Sequence, residues 1–128
     1  MNADAMNNVV LYIDDNEDNV VLLRRLFKRK CPDLQLRTAM TGHDGVRVAV
    51  DDQPGLILLD NRLPDATGEQ VLRDLAAAPA TAAIPVVILS GDSHPATVSE
   101  LLAAGAADFL GKPFEAHQLL AILGRYLN

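Results

Sequence analysis

Apolar residues along this chain fall alternately into short continuous runs and into faces at helical spacing. Val9–Ile13 ("VVLYI") is short, apolar and β-branched and stops at Asp14-Asp15, the pattern of a strand. Asn16 follows as a helix cap, with Val20, Leu23, Leu26 and Phe27 on one face. Glu17 and Asp18 occupy the first turn and Lys28, Arg29 and Lys30 the last, so each sign suits the helix dipole. Pro32-Asp33 breaks that helix. Residues 34–39 alternate apolar and polar, which predicts an edge strand with one exposed face.

The alternation continues to the end of the chain. A helix is predicted over Gly42–Asp52, with Val46 and Val50 in phase, then a fully apolar strand over 56–59 and a helix over Gly68–Ala77 carrying Val71, Leu72 and Leu75. "IPVVILS" (84–90) reads as a central strand with Pro85 near its start. Pro95 opens a fourth helix and Gly105 closes it. Residues 107–110 form a short fifth strand and 114–127 a last amphipathic helix. Five strands alternating with five helices across short loops predict an α/β sandwich around a parallel sheet, covered on both faces by right-handed crossovers. No repeat, low-complexity tract or linker interrupts it.

Composition narrows the function classes. The chain has 128 residues, 49% of them hydrophobic, enough for one packed domain. Its formal charge of −6 argues against a nucleic-acid surface. No apolar run reaches membrane-span length, and "MNADAMNN" lacks the regions of a signal peptide. Residues 1–7 are expected to be a disordered terminus or a segment added for expression, and 8–128 the domain. The single cysteine, Cys31, forms no internal disulfide and fits a reducing, cytoplasmic setting.

The chemistry gathers at the carboxyl ends of the strands, where open parallel sheets bind their ligands. Strand one ends in Asp14-Asp15, strand three in Asp60 within "LLDNRLPDATG", strand four in Ser90, and strand five leads to Lys112 in "GKPF". Two carboxylates ~4 Å apart at an effective dielectric near 20 repel by roughly 4 kcal/mol. Either some of the three stay protonated or a cation joins them, and oxygen ligands without histidine or thiolate favour a hard ion such as Mg²⁺. Lys112 balances the metal-free site and can later hold an anion, to which Ser90 can donate a hydrogen bond. Such a site suits a phosphoryl group, and Asp60, on the most buried strand, is the candidate nucleophile.

Taken singly, each residue has a plainer reading. Asp14-Asp15 serve as turn and cap residues, Asp60 as a strand-end acid, Lys112 as a loop lysine, Ser90 as a partner for loop backbone and Phe109 as a core aromatic. Their occurrence together, in order, resembles the receiver domain of bacterial two-component response regulators over about residues 8–128. The resemblance implies a flavodoxin-like (βα)5 three-layer sandwich with a parallel five-stranded sheet of order 2-1-3-4-5. It implies that Asp60 accepts a phosphoryl group from a phosphohistidine on a histidine kinase or a histidine phosphotransfer protein. Asp15, Asp60 and the backbone carbonyl of Arg62 would ligate Mg²⁺, with Asp14 acting through a coordinated water. Lys112 and Ser90 would contact the phosphoryl oxygens. Movement of Ser90 would let Phe109 rotate, altering the surface of helix four, strand five and helix five, a face that can also carry a homodimer.

Some positions depart from the family's commonest pattern. Leu63 stands where many members have methionine, and Phe109 where tyrosine is frequent. Asn61, Arg62, Gly91 and Asp92 form the site rim, and an Arg62–Asp92 ion pair across the mouth is expected to slow hydrolysis of the acyl phosphate. Gly91 leaves room for a donor imidazole. His43, His94 and His117 are read as surface residues. Arg24, Arg25, Lys28, Arg29 and Lys30 read as a solvated helix face, with steering of an acidic partner as the second use.

The resemblance describes a switch that phosphorylates and dephosphorylates itself, not an enzyme on an external substrate, with no direct contact to nucleic acid or membrane. It is expected as a stand-alone regulator or as the receiver of a hybrid histidine kinase whose parent protein is membrane-tethered. Two rival readings remain. A Mg²⁺-dependent aspartyl phosphatase or phosphotransferase usually has a second acid two residues after its nucleophile, where this chain has Arg62. A degenerate receiver, binding partners without phosphorylation, would have lost a key acid or the lysine.

Overall fold

A computed structural model describes residues 8–127; the expectation of a disordered or appended terminus over residues 1–7 falls outside them. The elements run β1 (Val9–Ile13), α1 (Glu17–Lys30), β2 (Gln35–Ala39), α2 (Gly42–Asp52), β3 (Leu56–Asp60), α3 (Gly68–Ala77), β4 (Val86–Ser90), α4 (Pro95–Ala103), β5 (Asp108–Gly111) and α5 (Ala116–Tyr126). All four strand pairings are parallel, and the sheet order is β2-β1-β3-β4-β5. This is the flavodoxin-like (βα)5 three-layer sandwich expected from the sequence.

The period of two along each strand divides the core into two layers. Leu11, Ile13, Ile57, Leu59 and Ile88 face one way and pack with Ala49, Val71, Leu72, Leu75 and Leu101 from α2, α3 and α4. Val10, Tyr12, Leu56, Leu58, Val87 and Leu89 face the other way and pack with Leu23, Phe27, Leu119 and Leu123 from α1 and α5. Residues 56–59 are wholly buried, and β3 lies at the centre of the sheet. β2 lies at the edge with alternating exposure, as its sequence pattern predicts.

Helix starts follow their caps. The Asn16 side chain accepts from the Asn19 N–H, Thr41 from Asp44, and Thr67 with Gln70 forms a reciprocal capping box. Pro95 occupies the first turn of α4, and Gly105, with φ of +118°, turns the chain out of it.

Four boundaries sit inward of the sequence expectation. Leu34 donates to Cys31 in a turn before β2, and Ile84 donates to Thr81 in a turn before β4. Ala107 precedes β5, although its N–H donates to Val86. α5 begins after Glu115, whose N–H is held by Gln118, and Lys112-Pro113 is a cis peptide.

Two glycines give opposite expectations for one substitution. A Cβ on Gly45, inside α2, would stand 2.9 Å from Cγ1 and 3.1 Å from Cγ2 of the buried Ile13. Overpacking of about 1–3 kcal/mol outweighs a helix-propensity gain of at most about 1 kcal/mol. A Cβ on the exposed Gly124 meets nothing within 4 Å. Urea unfolding is expected to show Gly45→Ala less stable than the wild type and Gly124→Ala more stable by up to about 1 kcal/mol.

Candidate functional site

Asp14, Asp15, Asp60, Ser90 and Lys112 stand at one edge of the sheet because each follows or ends a strand there. The Asp14 N–H donates to the Ala39 carbonyl at 3.0 Å, carrying the β1–β2 ladder one residue past the strand. The Lys112 N–H donates to the Ser90 carbonyl at 2.8 Å, so the lysine leaves β5 beside β4. Asp60 pairs in register with Leu89. Rigid backbone thus delivers each side chain.

Asp14, Asp15 and Asp60 each bring a carboxylate oxygen to a place where all three lie within 4.8 Å of one another. Lys112 Nζ stands between two of them, 3.0 Å from Asp60 Oδ1 and 3.4 Å from Asp14 Oδ2. The three acids differ in surroundings. Asp14 is 1% exposed, yet both its oxygens accept hydrogen bonds. Oδ1 accepts the Asn16 N–H, and Oδ2 accepts the Tyr12 hydroxyl, the Asn19 amide and Lys112. Burial pushes its pKa up, and the Tyr12 hydroxyl, the Asn16 N–H, Lys112 and Asn19 together bring it below the ordinary value. Asp60 goes the other way. Burial and the Asp14 charge raise it, against the pull of Lys112 and the Arg62 N–H. Asp15 is exposed, and among the described residues its carboxylate has neither hydrogen bond nor ion pair. One carboxylate is anchored, one is repelled and one is uncommitted. An all-oxygen set of this kind, with an unpartnered member, fits a hard divalent cation.

The mouth is a cleft of about 320 Å³ lined by Asp60, Asn61, Arg62, Ser90, Gly91, Asp92 and Lys112, all named from the sequence. Ser90 is 5% exposed, and its Oγ accepts the Asp92 N–H, leaving its own proton to donate. Phe109 is half-buried against the α2/α3/α4 layer, beside Ile88. Gly68 lies so close to Asn61 that a Cβ there would stand 3.3 Å from the Asn61 Cα, and its N–H holds the Asn61 carbonyl at 2.9 Å. That contact closes the loop after Asp60.

The expected Arg62–Asp92 ion pair is not formed, which is a correction. The Asp92 carboxylate accepts the His94 N–H on one oxygen and the Thr97 hydroxyl on the other. It is therefore turned toward the start of α4. The His94 N–H first, then Thr97, hold its pKa below the ordinary value, and the Arg62 guanidinium acts only through space. Of the surface histidines, His94 also serves the fold locally, because its Nδ1 caps α4 by accepting the Ala96 N–H.

Three supporting residues are not apparent from the sequence. Tyr12 lies two residues before Asp14 and so on the same side of the strand, a signal hidden by counting its ring as apolar. Asn19 reaches Asp14 only through the path of α1. Asp65 accepts the N–H groups of Gly42 and His43, tying the tip of the β3–α3 loop to the start of α2. Those two N–H groups hold its carboxyl below the ordinary value.

The sequence matches the family model for the response regulator receiver domain over residues 10–124. Response regulator PleD of Caulobacter vibrioides (strain NA1000 / CB15N) is 36% identical over 116 residues, which cover 91% of this chain and 25% of PleD. Protein-glutamate methylesterase/protein-glutamine glutaminase 1 of Myxococcus xanthus (strain DK1622) is 35% identical over 118 residues, 88% of this chain and 33% of that protein. The chain thus spans about a quarter to a third of the length of these relatives. The solved receiver domain of sensor histidine kinase PA1611 from Pseudomonas aeruginosa PAO1, with a magnesium ion coordinated in its active site cleft, matches with a TM-score of 0.84. Its identity is 26%, over 93% of this chain and 96% of that one.

The raised pKa of Asp60 has a consequence for stability. A carboxylate raised on folding costs stability while it is ionised, and the cost fades as pH falls through its folded pKa. Without divalent cation, Asp60→Asn is therefore expected to melt above the wild type at neutral pH. Thermal melts across an acid titration should show the difference shrinking toward zero.

Proposed function

The chain belongs to the response regulator receiver domain family, and from that membership we propose that it is a phosphoacceptor switch whose acceptor is Asp60. The observation that supports this reading best is the position of the Asp60 carboxylate. It ends the central strand, opens into the cleft beside Ser90, and is held on one oxygen by the Lys112 ammonium.

In the proposed transfer an Asp60 oxygen attacks the phosphorus of a phosphohistidine. The O–P bond forms as the P–N bond breaks, and the departing electron pair stays on the imidazole nitrogen. Lys112 moves its charge from Asp60 to a phosphoryl oxygen, and the Ser90 hydroxyl turns its proton to another. Asp15, Asp60 and the Arg62 carbonyl would hold a divalent cation, with Asp14 reaching it through water. That cation, when bound, neutralises charge on the transferring oxygens. Hydrolysis of the acyl phosphate would return the site to its starting state, and the chemistry involves no external substrate. Ser90 and Phe109 would carry the change toward the face formed by α4, β5 and α5.

A cleft of about 520 Å³ next to the site suits the docking of a phosphodonor protein. Leu22, Leu26, Pro113 and Phe114 line it, Lys112 stands at one end, and Leu22 is 62% exposed. Apolar anchors in such a cleft carry most of an interface's energy. The donor class is a histidine kinase or a histidine phosphotransfer protein, and the basic residues farther along α1 would favour an acidic one.

Intact mass after incubation with acetyl phosphate and Mg²⁺ tests the acceptor. A gain of one phosphoryl group is expected in the wild type and none in Asp60→Asn; a gain in both would overturn the assignment. Leu22→Asp is expected to accept phosphate from acetyl phosphate at the wild-type rate. Transfer to it from a histidine phosphotransfer protein should slow by about tenfold or more, the effect of losing an interface anchor.

A further inference from the structure

Among the groups that surround the acids, Tyr12 is unusual in being both polar and wholly inside. It is 2% exposed. Its ring packs in the layer under α1 and α5, and its hydroxyl donates to Asp14 Oδ2 at 2.5 Å. A phenol keeps its proton at neutral pH, and facing a carboxylate oxygen it can only donate. Asp14 Oδ2 has two further donors. The Asn19 amide lies at 3.1 Å, on a partly buried side chain. Lys112, at 3.4 Å, is 24% exposed and shared with Asp60. Of the three, the tyrosine is the most deeply buried, although an edge of it borders the cleft beside α1.

We infer that the Tyr12 hydroxyl is a positioning group for the divalent-cation site, holding Asp14 so that this buried carboxylate does not draw Lys112 away from Asp60. The inference rests on reading Asp14, Asp15 and Asp60 as that site. A buried carboxylate that loses a donor recruits the nearest one able to move. Here that donor is Lys112, already within ion-pair distance. Its ammonium would settle on Asp14, leave Asp60 with less of its counter-charge, and occupy the space an entering cation needs. Tyr12 thereby acts on the cation through Asp14 and Lys112 without touching it. Residues that orient a metal's carboxylates in this way typically change affinity by about 10–100-fold when removed.

Calorimetric titration with Mg²⁺ of the wild type, Tyr12→Phe and Tyr12→Val tests this. Tyr12→Phe keeps the ring and is expected to stay folded while its Kd for Mg²⁺ rises by about tenfold. Tyr12→Val also loses the packing and is expected to show the same weakening together with a lower melting temperature. Equal or tighter binding by folded Tyr12→Phe overturns this inference alone. Absence of Mg²⁺ binding by the wild type overturns the reading of the site and this inference with it.

Discussion

Repulsion among three carboxylates is the constraint around which the rest of this fold is arranged. At the spacing found here each pair works against folding, and a flexible chain would relieve the strain by letting the acids drift apart. This chain cannot. Asp60 is fixed by a strand with four consecutive buried residues, and Asp14 by the extension of the β1–β2 ladder to Ala39. The repulsion is retained and is met by one lysine reaching over from the far side of β4. Carboxylates held in this way are pre-arranged for a cation, because they are not free to escape one another.

The loops around the acids are secured in a way that leaves the acids themselves undisturbed. Asp65 and Asp92, on either side of the mouth, commit their carboxylates to backbone N–H groups at the starts of α2 and α4. Neither contributes to the ion site, although each lies within five residues of a residue that does or that lines the cleft. Helix starts carry partial positive charge and orphan N–H groups, so they draw off acids that would otherwise add to the repulsion. The same competition explains why Arg62 finds no partner in Asp92, whose carboxylate is already held by His94 and Thr97.

The layers and the principal residues of the site were legible in the sequence. Continuous apolar runs that stop at acids identify β1 and β3, alternation identifies β2 as an edge, and Asn16 and Pro95 mark helix starts. What stayed hidden depends on three-dimensional paths. Element ends at Leu34, Ile84 and Phe114 are set by turns whose hydrogen bonds carry no strong sequence mark. The orientation of the Asp92 side chain depends on which donors its loop brings near, and charge alone suggested the wrong partner. Tyr12 was hidden by its dual character. A phenol in an apolar run satisfies the pattern with its ring, while its hydroxyl serves the residue two places on.

The ion pairs of Lys112 span 98 residues to Asp14 and 52 to Asp60, and this separation has a consequence during synthesis. A growing chain released as far as β4 already contains all three acids and Ser90, but not Lys112. Contacts this distant in sequence form only when the whole sheet has closed. The counter-charge on Asp60 and Asp14 is therefore complete only once the segment that follows β5 has joined the sheet, however much secondary structure has formed before it.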